Sequence, residues 1–304
     1  MTGFKVLHPG IQTTIQDNGR KGYGAIGVTE AGVMDEYAFH WVNKLLGNRY
    51  GTNALEIAFG GLKLQAMGAT HFAVTGAQVI VRVNGRIVEN WKTHRIGDGE
   101  ILEIGFATSG QRIYLGVNDG FEVMPSFGSC SISIKEGIGG FDGKPIKAGD
   151  FLPFTCKTLK ENRQLPNHLH PDYESVLTLR LVGGYQWEMF SEAEREKFFS
   201  SDYQVTPQSD RMGYRLSGEK IMASQSGVIS EPIAYGSVQI PSHGEPIVLM
   251  KERQTIGGYP KIGSVIPVDC FKLSQMKQGS IIRFEHITPQ EARRACSMFY
   301  RFFR

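Results

Sequence analysis

Residues 79–88 read VIVRVNGRIV, and this stretch decides the fold class of the chain. Two apolar, β-branched runs flank Asn84-Gly85. That dipeptide favours a type I′ turn, because both central positions of such a turn need a positive φ. We therefore predict a tight β-hairpin over Val79–Val88.

Similar short apolar runs recur along the first half of the chain, mostly bounded by Gly, Asn or Asp. They are Leu55–Phe59, Leu62–Gln65, Thr70–Val74, Ile101–Ile104 and Ile113–Val117. Glycine accounts for 37 of the 304 residues, well above the usual share of roughly 7%. Frequent glycine suits many tight turns. The sequence predicts a mostly β protein with a few short helices.

Four short segments carry helix signals, namely Asp35–Leu46, Ser191–Phe199, Asp269–Gln278 and a last helix that begins at Thr288-Pro289. The first and second have capping side chains at their start, and the last combines a capping box with proline at its first position. For the aromatic and basic tail Met298–Arg304 we expect packing against its own domain, with docking to a partner subunit as the alternative.

The length of 304 residues exceeds one ordinary core and predicts two domains. The polar, proline-containing stretch Thr158–Asp172 suits a linker, so we expect domains at 1–165 and 172–304. The His168 and His170 pair in this stretch has no acid or cysteine at metal-site spacing. We predict a solvated linker there and no metal site.

Charge and hydropathy exclude two classes of partner. Lys and Arg total 33 against 30 acids, a net charge of +3. The sequence has no stripe of basic residues with interleaved aromatics of the kind that binds nucleic acid. No apolar run approaches the roughly 18 residues of a membrane span, and Met1–Gly10 lacks an apolar signal core.

The four cysteines form no CxxC pair and are expected to be buried free thiols. We expect a cytoplasmic protein.

Two polar groupings in the first half are open to either interpretation. Asp17 and Arg20 lie among glycines in Gln16–Gly24 and suit either polar binding or a well-bonded turn with an ion pair. Glu56 lies in an apolar strand, where a carboxylate must be paired, exposed or functional.

The richest grouping is Ser209–Lys261. Its polar side chains lie beside glycines and prolines: Asp210, Arg211, Arg215, Gln239, Gln254, Tyr259 and Lys261. Arginine forks suit carboxylate or phosphate, and glutamines suit an amide. Tyr259 and Lys261 are candidates to polarise a carbonyl or move a proton, and Asp210 to orient the arginines. This pattern predicts a polar small-molecule site.

Several familiar motifs are missing from the sequence. It has no GxxxxGK[ST] nucleotide loop, no GxGxxG after a strand and no GxSxG elbow. Met250-Lys251-Glu252 lacks the second methionine of a Met-Lys-Met biotin site. We therefore expect no biotin attachment site.

Taken in order, these segments resemble the family of C-type 5-oxoprolinase subunits, also described as allophanate hydrolase subunit 2 or biotin-dependent carboxyltransferase-like. The resemblance covers nearly the whole chain. Its main motifs are Gln16-Asp17-x-Gly19-Arg20, Gly32-x-Met34-Asp35, Ala54-Leu55-Glu56, Ser209-Asp210-Arg211-Met212-Gly213-x-Arg215-Leu216, Gln239-x-Pro241-x-x-Gly244-x-Pro246 and Gln254-Thr255-x-Gly257-Gly258-Tyr259-Pro260.

The resemblance implies two cyclophilin-like β-barrel domains and a cytoplasmic enzyme complex. The implied partners are a separately encoded, carboxyltransferase-like protein of the B type and a third 5-oxoprolinase component. The implied reaction is the ATP-dependent opening of 5-oxo-L-proline to L-glutamate, and which component holds ATP is left open. On this hypothesis the arginines and glutamines of Ser209–Lys261 bind the substrate together with Asp17, Arg20 and Glu56.

Two alternatives remain open. A protein of the carboxyltransferase type would move a carboxyl group from carboxybiotin to urea or another small amide. A regulatory binding protein would sequester a kinase-inhibitor partner without turnover. Lys251-Glu252, Asn118-Asp119-Gly120, Ser230-Glu231-Pro232 and Tyr235 depart from the family pattern, which leaves the substrate open.

Overall fold

A computed structural model of the chain describes every residue except Thr158, Lys160 and Glu174. Contacts between residues divide the chain into two compact units. The first consists mainly of Met1–Lys21 and Ala31–Tyr173, and the second mainly of Gly22–Glu30 and Glu174–Phe302. Two residues of the predicted linker lie outside the described part. The domain bounds expected from the sequence, 1–165 and 172–304, remain a prediction.

The described part of the first unit contains two sheets and one α-helix. Its strands are β1 (Gly3–Pro9), β2 (Gln12–Gln16), β3 (Ala54–Ala58), β4 (Gly60–Met67), β5 (Thr70–Gln78), β6 (Val81–Val83), β7 (Arg86–Val88), β8 (Thr93–Ile96), β9 (Ile101–Phe106), β10 (Ser109–Val117) and β11 (Phe151–Pro153), and its helix is α1 (Glu36–Leu46). The six-stranded sheet has the order β11-β1-β4-β9-β6-β7, and the five-stranded sheet has the order β2-β3-β10-β5-β8.

The predicted hairpin is confirmed as β6 and β7. Asn84 and Gly85 have φ angles of 46° and 80°, as a type I′ turn requires. The strand pairs place Val81 opposite Val88 and Val83 opposite Arg86. Because β6 also pairs with β9, the local turn fixes one edge of the six-stranded sheet.

One apolar core joins the two sheets of the first unit. Phe4 and Leu64 come from the six-stranded sheet and Leu55 and Ile113 from the five-stranded sheet, and all four are fully buried. Each such side chain contributes about 1.5–3 kcal/mol. Helix α1 packs on the five-stranded sheet at Gly116, where a Cβ would lie 2.9 Å from a methyl carbon of the helix.

The second unit is built around a closed barrel. Its strands are β12 (Val176–Gly183), β13 (Tyr203–Val205), β14 (Gly213–Ser217), β15 (Glu231–Pro232), β16 (Ser237–Gln239), β17 (Ile247–Leu249), β18 (Ile256–Gly257), β19 (Lys261–Val265) and β20 (Ile281–His286), and its helices are α2 (Glu192–Ser200), α3 (Pro267–Leu273) and α4 (Pro289–Phe303). Seven strands close the barrel in the order β12-β19-β16-β17-β14-β13-β20, and β15 pairs with β18 outside it. The predicted mostly β fold with a few short helices is confirmed.

Helices α1 and α4 begin at the capping residues predicted from the sequence. The carboxylate of Asp35 accepts the N–H of Ala38 at the start of α1, and the Thr288 capping box opens α4. The prediction for α3 was wrong, because the helix spans Pro267–Leu273 instead of Asp269–Gln278. The carboxylate of Asp269 is bound by Arg180 of β12, at 2.9 Å from Nε and 2.6 Å from an Nη atom.

The aromatic tail packs partly on its own unit. The ring of Phe299 in α4 lies 5.2 Å from the ring of Phe271 in α3, measured between centroids. This contact agrees with packing against the same domain. The alternative role in docking a partner subunit stays a prediction.

The cysteines are free, but the prediction that they are all buried was wrong. Cys270 is buried, whereas Cys156 is exposed and the other two are intermediate. Among the described residues, none of the helices is both long and apolar enough to cross a membrane.

Burial of Tyr203 in the barrel predicts a loss of stability at high pH. This side chain is fully buried, and burial raises the pKa of its phenol above the ordinary value. The unfolded chain ionises at about pH 10, so its contribution is complete below about pH 10 and is lost as the pH rises through the folded pKa.

We expect Tyr203→Phe to remove up to about 1.4 kcal/mol per pH unit from the alkaline slope of the free energy of unfolding. Urea unfolding of both proteins between about pH 8 and pH 11.5 measures the two slopes. Identical slopes above pH 10 would contradict this assignment.

Candidate functional site

A polar cavity of about 260 Å³ lies in the second unit. It is formed by β14, β16 and β17 with the loops that join the barrel strands. The residues lining it are Gln208, Asp210, Met212, Gly213, Arg215, Gln239, Pro241, His243, Ile247, Leu249, Gln254 and Tyr259. Five of the seven site residues predicted in Ser209–Lys261 therefore line one cavity.

The cavity combines an apolar wall with polar groups of different exposure. Ile247 and Leu249 of β17 form the wall, and a Cβ at Gly213 would lie 3.1 Å and 3.3 Å from their side chains. Gln239 is only 5% exposed, whereas Tyr259 is 46% exposed. A buried amide and an exposed phenol therefore lie at different depths of the same cavity.

The glycine-rich segment Gly257-Gly258-Tyr259-Pro260 explains how these polar groups fit. A Cβ at Gly257 would lie 2.9 Å from the amide nitrogen of Gln239, so glycine at position 257 lets the loop approach without displacing this amide. Gln239 itself is held in the barrel by its strand pairing with Lys261. Glycine at position 257 thus lets this loop reach the side chain of Gln239 without a steric clash.

Asp210 holds the backbone of its own loop. Its Oδ1 accepts the N–H of Met212 at 2.7 Å and the N–H of Gly213 at 3.2 Å. These bonds form an Asx turn that leads into β14. The role that the sequence predicted for Asp210, orienting the arginines, stays a prediction.

Arg211 and Lys261 are not among the described residues that line the cavity. Nε of Arg211 lies 2.6 Å from Oε1 of Glu252, and both side chains are buried. Lys261 forms an ion pair with Glu231, and the same carboxylate accepts the amide N–H of Gln186 at 3.0 Å. Both cations are therefore neutralised by carboxylates of the surrounding structure.

Asp17 and Arg20 belong to the first unit, where they are part of a dense turn. Oδ1 of Asp17 accepts the hydroxyls of Ser129 at 2.5 Å and Ser131 at 2.7 Å, and Oδ2 accepts the N–H of Cys130 at 2.7 Å. Arg20 is 1% exposed and donates to the carbonyl oxygen of Ser131. Of the two interpretations left open above, these contacts favour the well-bonded turn.

Glu56 is a buried, paired carboxylate in β3. It is 3% exposed and accepts from Nη1 of Arg112 at 3.1 Å, from the hydroxyl of Tyr114 at 2.7 Å and from the N–H of Met34 at 2.9 Å. Burial, and next the negative charge of Glu56, hold the pKa of Tyr114 well above its ordinary value. Its contacts are those of a structural anchor, and substrate binding by Glu56 stays a prediction.

The site residues predicted from the sequence do not include Gln208 or His243, although both line the cavity. Nε2 of His243 lies 4.0 Å from a carboxylate oxygen of Glu245. The position of His243 between Pro241 and Gly244 was the sequence signal that could have indicated it. These residues form a turn, which is closed by a hydrogen bond from the N–H of Gly244 to the carbonyl oxygen of Pro241. No group of metal-binding side chains occurs in the part of the chain that the structure describes.

Residues 26–286 match the profile of the carboxyltransferase domain, subdomain A and B. The chain belongs to this family. The resemblance predicted from the sequence is confirmed.

Relatives in this family cover the chain from end to end. A protein of Escherichia coli (strain K12), named as the C-type subunit of 5-oxoprolinase, is 34% identical over 303 residues, which are 99% of this chain and 96% of that protein. The urea amidolyase of Saccharomyces cerevisiae is 30% identical over 96% of this chain, but these residues make up only 17% of that enzyme.

Solved structures agree with the family assignment. The crystal structure of the Kluyveromyces lactis urea carboxylase superposes with a TM-score of 0.93 and 28% identity, covering 99% of this chain and 29% of that chain. The protein TTHA0988 superposes with a TM-score of 0.85 and 29% identity, covering 94% of this chain and 56% of that chain. The present chain therefore corresponds to a part of these larger structures.

Proposed function

We propose that the chain is the C-type component of an ATP-dependent 5-oxoprolinase complex that opens 5-oxo-L-proline to L-glutamate. The observation that carries this proposal is 34% identity to the C-type 5-oxoprolinase protein of Escherichia coli over 96% of its length. By contrast, the urea amidolyase match covers 17% of a much longer enzyme. The proposal places the chain in the cytoplasm, with a B-type protein and a third 5-oxoprolinase component as partners.

The chemistry of the cavity in the second unit suits this substrate. 5-Oxoproline carries a carboxylate and a lactam, and the guanidinium of Arg215 suits the carboxylate. The amide of Gln239 can both donate to the lactam oxygen and accept from the lactam N–H. Ile247 and Leu249 offer an apolar wall to the ring methylenes. A volume of about 260 Å³ lies just below the range of roughly 300–1,000 Å³ that is usual for ligand cavities, as suits a small substrate.

Tyr259 is the residue we assign to the carbonyl of the lactam. A phenol hydroxyl that donates to this oxygen polarises the carbonyl and orients it for activation. His243 lines the same cavity, and its imidazole can donate or accept a hydrogen bond there. Arg211 and Lys261 are not among the described residues that line the cavity. They would affect substrate binding only by stabilising the residues that do.

ATP would supply the phosphoryl group that activates the lactam oxygen before water opens the ring. The cavity does not fit ATP, because it has a small volume and one arginine among its described lining residues. The sequence also lacks a GxxxxGK[ST] loop. We therefore place ATP binding on a partner protein, and substrate binding and orientation on this chain.

We expect Arg215→Ala to lower kcat/KM for 5-oxoproline by about 10- to 100-fold, since a hydrogen bond to a charged group contributes about 1.5–3 kcal/mol. The measurement is ATP-dependent release of glutamate by the chain co-expressed with its partners. Arg86→Ala, which changes an exposed arginine of the β6–β7 hairpin, is the control and should retain full activity. An unchanged kcat/KM in Arg215→Ala would remove this residue from the site.

Carboxyl transfer to urea or a similar amide is the second candidate function. It is favoured by the TM-score of 0.93 to a urea carboxylase. An assembled complex that releases no glutamate from 5-oxoproline but carboxylates urea with a biotin-carrying partner would establish this alternative. Partner binding without turnover, indifferent to Arg215→Ala and Gln254→Ala, would instead indicate a regulatory binding protein.

A further inference from the structure

The two-stranded ribbon formed by β15 and β18 borders the cavity of the second unit. It lies outside the barrel sheet, and in it Glu231 pairs with Gly257. Gln254 and Tyr259, which line the cavity, lie just before and just after β18 in the sequence. The position of the ribbon on the barrel therefore sets the positions of both side chains.

The end of the ribbon beside Gln254 is held by backbone and apolar contacts. The N–H of Ile233 donates to the carbonyl of Thr255 at 3.1 Å. The side chain of Ile233 is buried in a cluster with the apolar wall of the cavity, and its carbonyl accepts from Nε of Arg253 at 3.0 Å. This end is thus held by contacts other than those of Glu231.

The end of the ribbon beside Tyr259 meets the barrel through the carboxylate of Glu231. Oε1 of Glu231 forms an ion pair with Nζ of Lys261 and accepts the amide N–H of Gln186 at 3.0 Å. The amide oxygen of Gln186 in turn accepts the backbone N–H of Lys261 at 2.8 Å. Lys261 belongs to the barrel strand β19, and both it and Gln186 are buried. Two buried donors from different elements thus fix this carboxylate relative to the barrel.

Tyr259 depends on its backbone for a fixed position, because its side chain is 46% exposed. It follows Gly257 and Gly258, which leave the chain free to adopt many conformations. The strand pairing of Gly257 with Glu231 and the bond from the N–H of Val228 to the carbonyl of Gly258 at 2.8 Å restrict that freedom. A displacement of about 1 Å of a group at a reacting centre can lower a rate about 100-fold.

We propose that Glu231 is a positioning residue that fixes Tyr259 at the cavity through the β15–β18 ribbon, with Lys261 and Gln186 as its anchors on the barrel. The proposal rests on the function proposed for the cavity, in which Tyr259 donates to the lactam carbonyl. Glu231 acts through the ribbon and does not itself touch the substrate.

Hydrogen exchange of the chain without substrate tests whether Glu231 holds the ribbon. Glu231→Leu combined with Lys261→Met removes both charges, so that neither ion is left buried without its partner. We expect the amides of residues 228–233 and 255–259 to exchange about tenfold faster or more, because hydrogen bonds to a charged group are lost. Amides of the barrel strands β14 and β20 should exchange as in the wild-type chain. Unchanged exchange in the ribbon would overturn the proposal.

The matched control is Glu188→Ala, which breaks the ion pair of Glu188 with Arg195 outside the ribbon. It should alter neither the exchange of the ribbon nor the activity. Thermal melts establish that each variant is folded. If the double variant is not folded, Lys261→Met alone replaces it and should give the same faster exchange, since it removes the barrel side of the same pair.

Kinetics of the assembled complex test whether Glu231 acts through Tyr259. We expect the double variant and Tyr259→Phe each to lower kcat/KM for 5-oxoproline by about tenfold or more. All three changes together should lower it no further than the double variant does, because a hydroxyl that is already misplaced contributes nothing. Losses that multiply would show that the ion pair acts independently of Tyr259 and would overturn the proposal.

A wild-type complex that releases no glutamate from 5-oxoproline would contradict the proposed function instead. In that case the exchange measurement, which needs no substrate, decides whether Glu231 fixes the ribbon on the barrel.

Discussion

The Glu56→Ala variant is expected to lose about 3–5 kcal/mol of its free energy of unfolding. Glu56 receives Arg112, Tyr114 and the backbone of Met34 in a region where the side chains are almost fully buried. Removing the carboxylate leaves the guanidinium of Arg112 in low-dielectric surroundings without this counter-charge. The cost is that of a buried ion that has lost its partner, which exceeds the net stabilisation from an intact pair.

Denaturant unfolding of the whole chain, followed by a probe of the first unit, measures this loss. The control is Glu103→Ala, which breaks the pair between Lys63 and Glu103, whose side chains are 45% and 35% exposed. This exposed pair should contribute at most about 1 kcal/mol. The double variant Glu56→Leu with Arg112→Met should recover much of the stability, because neither ion then remains buried. A loss in Glu56→Ala no larger than in the control would refute the assignment.

Arg211→Ala is expected to have an effect of similar size in the second unit, about 3–5 kcal/mol. It leaves the buried carboxylate of Glu252 without its partner at 2.6 Å. The same two residues are joined by the bond from the N–H of Glu252 to the carbonyl of Arg211. Because Asp210 and Met212 line the cavity on either side of Arg211, we also expect this variant to lose activity through distortion of the loop.

Comparison with Arg215→Ala separates these two causes of inactivity. Arg215 is exposed, so its removal should reduce kcat/KM with little change in the unfolding midpoint, whereas Arg211→Ala should reduce both. Asp202→Ala, which breaks the exposed pair with Arg283, should change the midpoint much less than Arg211→Ala. Arg211→Met combined with Glu252→Leu should restore the midpoint. An unchanged unfolding midpoint in Arg211→Ala would show that the stability of the protein does not depend on the pair between Arg211 and Glu252.

The features that sequence reasoning predicted correctly are those decided by neighbouring residues. The Asn84-Gly85 turn needs only two positive φ angles. The caps at Asp35 and Thr288 need only a side-chain oxygen and a backbone N–H three residues later. Five of the seven polar side chains singled out in Ser209–Lys261 line one cavity, and their role in binding a small molecule stays a prediction.

The features that it missed depend on partners far apart in sequence. The helix was expected to begin at Asp269, but this residue lies inside α3 and its carboxylate binds Arg180, 89 residues away in sequence. The sequence offered Lys261 as a candidate catalytic group without indicating that Glu231, 30 residues earlier, forms its ion pair. Nothing in the local sequence specifies either pairing, since both follow from the barrel and its surrounding loops. For Glu56 the sequence indicated that a carboxylate in an apolar strand had to be paired, exposed or functional. It did not identify Arg112 as the partner.

The parallel pairing of β12 with β20 has a consequence for synthesis of the chain on the ribosome. Within the barrel β12 pairs only with β19 and β20, and both are translated long after it. At about 5–20 residues per second, the edges of β12 stay unsatisfied for roughly 5–20 seconds after it is made. During that interval the apolar strand is a target for misassembly and for chaperones. Codon choice between β12 and β19 should therefore affect the yield of native protein more than codon choice after β20.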